Sequence, residues 1–588
     1  MKYALALIFA ISLKVVLAQE ANILVNQVVY DLEGPKTAIL KAQSNEFEGK
    51  AFNIVDAKTS KTIFKGTIPK VSQVVDWSDS VWYNVLDFSE LRKEGSFQIK
   101  IPHKGVIINS PILKIQENGL SKTTIPAILN FFKHQRADSQ EELEADRNLL
   151  LFGSNKRVDL HGGWCDASGD VSKYFSHLAY TNFMSPQQIP LVTWSMMETI
   201  ESIPSILEEE GIKEAFLDEA LYGADYIMRS LSPEGYFYMT VFSYFDKDPS
   251  SRRVVGLLAD SKTTSDYQCA WREGAGMGIA ALARASMLNT SRDYSSNEYL
   301  AGAEKAYLHA LANSKTYADD GKDNIIDDYC SLIASIELWK ATSKPLYINN
   351  ARDRAENLTE RMSQLGYFIS DDGNRPFWHA SDAGLPIIAL CRYLELEKES
   401  KFRVPVISAV KRAIDYQISI TNEVENPFGY PRQTFSLNSS IQNGFFIPHE
   451  NESGWWWQGE NARLASIASA MILGSRLIYP GNGPYGLNEE YSLFVEKIIS
   501  WILGCNPYDM SMMYGYGKNN VPYMASMYGH GSGIGGISNG ITGKDGNPDG
   551  SGIDFKVEDN GNEWRWSEQW IPHTGWFLYA VTLISRNQ

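Results

Sequence analysis

Asp166 and Asp170 lie in the segment HGGWCDASGD, residues 161–170, a glycine-flanked turn directly behind the aromatic Trp164. Acidic side chains on a glycine-built loop are where a chain would place a general base. Cleaving a glycosidic bond takes two carboxyl groups in different protonation states, one activating water and the other protonating the leaving oxygen. The cluster therefore needs a distant acidic partner, and WRWSEQW near the end of the sequence offers Glu568. Asp166, Asp170 and Glu568 are the catalytic candidates.

The elements that must position them change character along the chain. Its 588 residues exceed one ordinary domain, which predicts one large unit plus one small one. Apolar content of 44% with 21% charged residues suits a soluble globular protein and excludes a disordered or collagen-like one. From about 20 to 117, short runs such as ILVNQVVY, AFNIVD and SFQIKI alternate between turn residues. Phe97, Ile99 and Ile101 point one way while Gln98 and Lys100 point the other. Several such strands predict a small all-β sandwich of immunoglobulin-like size. Beyond 120 the period turns helical: Tyr329, Leu332, Ile333 and Ile336 share one face, as do Leu464, Ile467, Ala468, Met471 and Ile472. About a dozen such stretches suit a barrel of paired helices, so the fold class is mainly α. The expected division is 1–18, 19–118 for the sandwich and 119–588 for the helical barrel.

Residues 1–18, MKYALALIFAISLKVVLA, join an early Lys2 to an apolar stretch and a small-residue end, as a cleaved export signal does. No Cys follows for lipid attachment, and no other segment is long and apolar enough to span a bilayer. The protein is expected to be exported, to a periplasm or beyond the cell. A net charge of -16 argues against nucleic acid, whose binders concentrate Lys and Arg. The five cysteines, Cys165, Cys269, Cys330, Cys391 and Cys505, show no metal-ligand spacing, and their odd number speaks against a disulfide framework. Most are expected inside helices as small core residues. No His pairs with Cys165 in sequence to suggest a nucleophile. No pattern specifies a cofactor or an oligomeric state.

The connections are rich in aromatics and glycine. Rings stack on the apolar faces of sugars, so Trp and Tyr in loops at one barrel end would form sugar subsites. Trp455, Trp456 and Trp457 cannot all face one helix core, which puts at least one of them in the cleft. In the glycine-rich segment 529–552, Asp545, Asn547, Asp549 and Gly550 match the start of a calcium loop, but Lys556 stands where a bidentate Glu is required, so a plain turn-rich loop is expected, with no metal.

These stretches resemble glycoside hydrolase family 9. ILVNQVVY resembles the first strand of the immunoglobulin-like domain that often precedes its catalytic module. HGGWCDASGD resembles the family's GGW-x-DAGD, LGCNPYDMSMMYGYGKN its LGxNPxxxSYxxGYGxN, and SEQWIPHTGWF its NExxIDYNAGF. The resemblance implies an (α/α)6 barrel. It also implies that Asp170 is the general base, that Asp166 helps hold and polarise the attacking water, and that Glu568 is the acid. The family inverts configuration in one displacement, with acid and base about 6.5 to 9.5 Å apart. Two departures stand out. Ser168 lengthens DAGD to DASGD, and the His-His-Arg that normally follows the GYG stretch is replaced by YMASMYGHG.

The DASGD form is similar to the exo-acting branch, which includes β-glucosidases and exo-β-D-glucosaminidases. Such an enzyme needs a blocked pocket for one terminal sugar. Its expected wall is the insert around 441–463, with His449, Glu452, Trp455, Glu460 and Arg463 as substrate-binding candidates beside Trp164. Glu452 or Glu460 would pair with a glucosamine amine, while Arg463 serves equally as a structural ion pair. The expected function is an exo-acting inverting hydrolase of β-1,4-linked glucosyl or glucosaminyl glycans, with an oligosaccharide or polysaccharide substrate. An endo-β-1,4-glucanase of the same family is the alternative, and a non-catalytic carbohydrate-binding protein is the alternative of another class. A polysaccharide lyase is disfavoured by the low basic content.

Overall fold

The alternating runs near the start of the chain become two facing sheets. A computed structural model describes residues 21–177, 185–244, 251–258, 262–451, 454–455 (backbone only), 458–526, 530–558 and 563–586. The sandwich strands are β1 (Ala21–Leu24), β2 (Tyr30–Asp31), β3 (Thr37–Ala42), β4 (Ala51–Asp56), β5 (Thr62–Thr67), β6 (Trp82–Asp87), β7 (Gly95–His103), β8 (Val106–Asn109) and β9 (Leu113–Gln116). One sheet has the order β1-β3-β6, the other β2-β9-β7-β4-β5 with β8 also on β7. Phe97, Ile99 and Ile101 are buried between them with Ile23, Leu40, Ile54 and Leu86, as the period-two pattern requires.

The helical region follows at once. Among the described residues its long helices are α1 (Gly119–His134), α2 (Ile189–Ser202), α3 (Lys213–Arg229), α4 (Gly276–Ala285), α5 (Ser296–Tyr317), α6 (Ile325–Thr342), α7 (Pro345–Glu360), α8 (Leu385–Leu396), α9 (Ser400–Asn422), α10 (Asn461–Ile478), α11 (Glu489–Ile502) and α12 (Ile571–Ser585). Two rings result. Helices α2, α4, α6, α8, α10 and α12 pack each on the next, and α12 closes on α2. These inner helices are apolar on nearly every side, which is why they are buried over most of their length. The alternate helices, including α3, α5, α7 and α11, carry one apolar face and lie outside. This is an (α/α)6 barrel behind an all-β sandwich.

The loops that run into the N-terminal ends of the inner helices converge at one end of the ring. The segment with Asp166 and Asp170 leads into α2, and Glu568 precedes α12. Helices α2 and α12 are neighbours: Trp194 stacks on Tyr579 with ring centroids 4.9 Å apart, and the hydroxyls of Thr199 and Thr582 lie 2.8 Å apart. Sequence-distant carboxyls are thus delivered to one place. A second small sheet, β10 (Leu149–Leu151), β11 (Arg157–Val158), β12 (Lys173–Tyr174), β13 (Thr240–Phe242), β14 (Arg253–Leu258) and β15 (Lys262–Thr264), flanks the same loop.

The cysteines depart from expectation. All five are free and buried, but only Cys330 and Cys391 are helical; Cys165, Cys269 and Cys505 sit in connections, where tight packing rather than helix periodicity buries them. The expected signal, residues 1–18, lies outside the described residues, and no described helix is long and apolar enough to cross a membrane.

The sandwich docks on α11 and the turn after it. Gln27 N–H donates to the Leu503 carbonyl at 2.9 Å, and Lys41 Nζ to the Pro507 carbonyl at 2.7 Å. Trp77 reaches across to the rings of Phe428, Phe445 and Trp501. Within this interface Glu496 is buried and accepts from Thr37 Oγ1 at 3.0 Å and Ser500 Oγ at 2.6 Å. Burial outweighs these donors and pushes its carboxyl up to about 7. A carboxyl raised in the folded state favours folding at low pH, and that contribution is lost as pH rises through about 7. Glu496→Gln is therefore expected to stabilise the protein at pH 8 by about 1–3 kcal/mol while changing little at pH 5, as read from urea midpoints at the two values.

Candidate active site

A buried charge cluster holds the ends of the acidic loop. Asp146, at the end of the helix Gln140–Asp146, takes Lys173 Nζ at 2.7 Å and Arg252 Nε and Nη2 at 2.7 and 2.9 Å. Lys173 spends its other protons on the carbonyls of Leu160 and Gly162, and Arg252 Nη1 donates to Val171 O. Both sides of the 161–170 turn are thereby fixed to one carboxylate. Gly163 is required here: its φ is +78°, and a Cβ would meet the Tyr226 ring at 2.7 Å.

Trp164 is not a sugar platform. It is fully buried, donates from Nε1 to Glu219 Oε1 at 2.8 Å and packs on Phe132 and Tyr222. The ring anchors the turn from behind because its polar edge finds a carboxylate inside the core.

The acidic loop and the Glu568 segment are tied by direct bonds. Gln569 N–H donates to Ser168 Oγ at 2.8 Å, Ile571 N–H to Asp166 O at 2.9 Å, and Trp570 Nε1 to Asp166 Oδ1 at 2.9 Å. Ser168, the residue that lengthens the loop, thus makes one of the contacts that register it against its partner. Glu568 is placed by Asn539, whose N–H donates to Glu568 O at 2.7 Å and whose Nδ2 lies 3.4 Å from Oε2.

The three carboxyls feel one another. Burial first, then the Asp170 and Glu568 charges, raises Asp166 well above the carboxylate range. Burial also raises Asp170, but Ser172 N–H, 2.8 Å from Oδ1, and the Arg252 charge oppose it. Burial and the Asp170 charge push Glu568 up to about 8. Asp170 has the donors that stabilise an anion, and Glu568 holds its proton at neutral pH.

The insert places its residues unevenly. Glu460 accepts from Ile447 N–H at 2.8 Å and Arg463 Nε at 2.6 Å, and Tyr430 OH lies 3.3 Å away. Arg463 is fully buried and also donates to the carbonyls of Pro431 and Phe445. Both residues are committed to the fold, and neither is available to a sugar: a buried ion pair is retained because losing one partner strands the other. His449 is buried, and its imidazole is driven down to about 4 chiefly by desolvation, so it is neutral at pH 7. Trp455 lies in a short strand whose backbone pairs with Glu450. Glu452, Trp456 and Trp457 lie outside the described residues. In the glycine-rich segment Lys556 gives its ammonium to Asp545 at 2.7 Å, while Asp549 and Asn547 bond Ser551.

Sequence reading missed Asp146, Lys173, Arg252 and Asn539. Only Lys173, three residues beyond Asp170, carried a local signal, as a cation within an apolar stretch.

A closed helical barrel that gathers three carboxyls of unequal proton affinity at one end suits an O-glycosyl hydrolase. Residues 122–541 match the description Glycosyl hydrolase family 9, and residues 18–106 match Cellulase N-terminal ig-like domain; the chain belongs to glycosyl hydrolase family 9. Glu568 lies beyond the matched stretch. The chain is 24% identical over 535 residues to a cellodextrinase of Butyrivibrio fibrisolvens, covering 84% of this chain and 85% of that one. It is 23% identical over 417 residues to Endoglucanase 23 of Oryza sativa subsp. japonica, 66% and 71% of the two. A Bacteroides ovatus GH9 structure superposes with TM-score 0.66 at 18% identity, covering 96% of this chain and 99% of that one. A structure of AaCel9A in complex with cellobiose-like isofagomine gives 0.65 at 16%, covering 95% and 99%.

Lys173→Met, which leaves Asp146 with Arg252 alone and frees two carbonyls, is expected to destabilise the protein by about 3–5 kcal/mol, seen as a lower urea midpoint. An unchanged midpoint would remove the cluster from its role.

Proposed function

We propose that this enzyme is an exo-acting, inverting hydrolase of β-1,4-linked glucosyl or glucosaminyl glycans, with Asp170 as general base, Asp166 holding the attacking water and Glu568 as general acid. The observation that carries the reading is the direct bonding of the two loops, Trp570 to Asp166 and Gln569 to Ser168, together with the Asp170 charge that Glu568 feels. Water drawn toward Asp170 loses its proton as it attacks the anomeric carbon, while Glu568 delivers a proton to the departing oxygen from the other side. A relative named cellodextrinase and others named endoglucanases support a β-glucan substrate.

Exo action is supported by the loop architecture. The hairpin Gln433–Leu437 and Ser440–Gly444 leads into the 445–461 stretch, which bonds the glycine-rich segment through Asn461 N–H to Asn539 O and Glu450 N–H to Pro548 O. The described part of that stretch bonds the segment that carries Asn539, which contacts Glu568, and a wall built there is the proposed stop to chain passage. Since Glu460 is occupied internally, Glu452, which lies outside the described residues, is the remaining candidate of the two for a glucosamine amine. The N-terminal export-like stretch supports action outside the cytoplasm.

Proton NMR of the first products from defined glucose and glucosamine oligomers tests substrate, end preference and anomeric outcome together. The expected result is a single terminal sugar released as the α-anomer, and internal cleavage products would replace the exo reading with the endoglucanase one. Asp170→Asn and Glu568→Gln are each expected to lower kcat by about 10²-fold or more with folding intact. The pH profile should fall at high pH as Glu568, near 8, loses its proton, and at low pH as Asp170 gains one. Glu568→Gln should erase the alkaline limb, and near-normal turnover in either variant would refute the assigned role.

A further inference from the structure

A cavity of about 480 Å³ opens where the sandwich meets the barrel, and none of the three catalytic candidates lines it. Its volume falls within the about 300–1,000 Å³ of small-molecule sites. Three segments build it: the sandwich loop from Gln73 to Asp76, the hairpin Gln433–Leu437 and Ser440–Gly444 with the residues on either side, and the glycine-rich turn from Asp549 to Ser551. The turn is shaped for the place. Gly550 has φ +72°, and a Cβ there would meet the Ile447 carbonyl oxygen at 2.5 Å, so glycine lets the turn lie against the 445–461 stretch. Gly552 N–H donates to Asp76 Oδ2 at 3.3 Å and joins the turn to the sandwich loop.

The lining mixes three kinds of group. Phe435, Phe445 and Phe446 supply buried apolar surface, while Val75 and Val424 are 77% and 40% exposed, apolar side chains left open to a ligand. The amides of Gln442 and Asn443 and the Ser551 hydroxyl are polar, and Arg432, 8% exposed, has an Nε without a hydrogen-bond partner among the described residues. The charge is one-sided. Arg432 is paired with Glu423 and Lys70 lies 3.9 Å from Glu425, so Asp76 and Asp549 carry charge that no ion pair among the described residues balances. The two feel each other: burial first, and then the Asp549 charge, raises the Asp76 carboxyl. Apolar surface, donors for hydroxyls and an excess of negative charge together fit a ligand with apolar ring faces, hydroxyl groups and an ammonium, which is the chemistry of an amino sugar.

We propose that this cavity is a second glycan site, which holds an amino-sugar segment of a polymer with its ammonium against Asp76 and Asp549. The choice of an amino sugar rests in part on the glucosaminyl reading above. The site shares the 445–461 stretch with the proposed cleft wall, so a polymer held there stays with the enzyme between successive cuts, and its free end is presented at a raised effective concentration.

The test uses the full chain carrying Glu568→Gln, so that a short glucosamine oligomer is not consumed while it is titrated calorimetrically. The expected result is one more equivalent bound than when Asp76→Asn and Asp549→Asn are added, two isosteric changes that keep the acceptors for Gly552 and Ser551. The N-acetylated oligomer of the same length, which has no ammonium, should bind the cavity about threefold or more weakly. In the enzyme with Glu568 intact, the two Asn changes should slow release from the polymer and leave release from a disaccharide unchanged. Equal stoichiometry with and without the two changes overturns the proposal, as does equal binding of the N-acetylated oligomer. If the wild-type enzyme releases no sugar from glucosamine oligomers while the extra equivalent is bound, the glucosaminidase reading falls and the second site stands.

Discussion

The acidic turn is held in place by a buried carboxylate outside the proposed catalytic trio. Asp146 is buried with two cations, Lys173 and Arg252, and the three charges reach out to the carbonyls of Leu160, Gly162 and Val171. Desolvating such a group costs about as much as its mutual attraction returns, so its value lies in direction more than in net stability. A turn built from glycines has many accessible conformations, and fixed charges on both flanks leave it very few. The adjoining contacts to Gln569 and Trp570 then have a rigid surface to meet.

That rigidity is what lets three carboxyls of the same chemical type behave differently. Each is pushed toward its neutral form by enclosure, and the distinction comes from donors. Asp170 receives the Ser172 N–H and senses Arg252, whereas among the described residues the Glu568 carboxyl has a long contact from Asn539 and feels a negative neighbour. A displacement of one loop by about an ångström would blur this asymmetry, because the Ser172 hydrogen bond that favours the Asp170 anion is short-ranged.

The fold was legible wherever burial leaves a period. Phe97, Ile99 and Ile101 marked a sandwich strand, and the repeating faces at 329–336 and 464–472 marked helices that prove to be inner staves of the barrel. The three carboxyls that the fold brings together could be singled out because carboxylates beside glycine and tryptophan are few. Trp164 and Glu460 were read as sugar contacts, and Arg463 as either a sugar contact or the structural ion pair it proves to be, because residue type alone does not tell which way a side chain faces: each has polar atoms bonded inside the protein. Asn539 and the Asp146 cluster were invisible for a related reason. Their partners lie tens to hundreds of residues away, and no local period records a contact across loops.

The sandwich has a role that its distance from the carboxyls disguises. Trp77 sits among Phe428, Tyr430, Phe445 and Trp501, and Tyr83 adds an edge contact to Phe428. A barrel freed of its first hundred residues would present this aromatic cluster to water as a broad adhesive face. The small module therefore works as a stopper for the large one, keeping from water the rings that the barrel alone would expose.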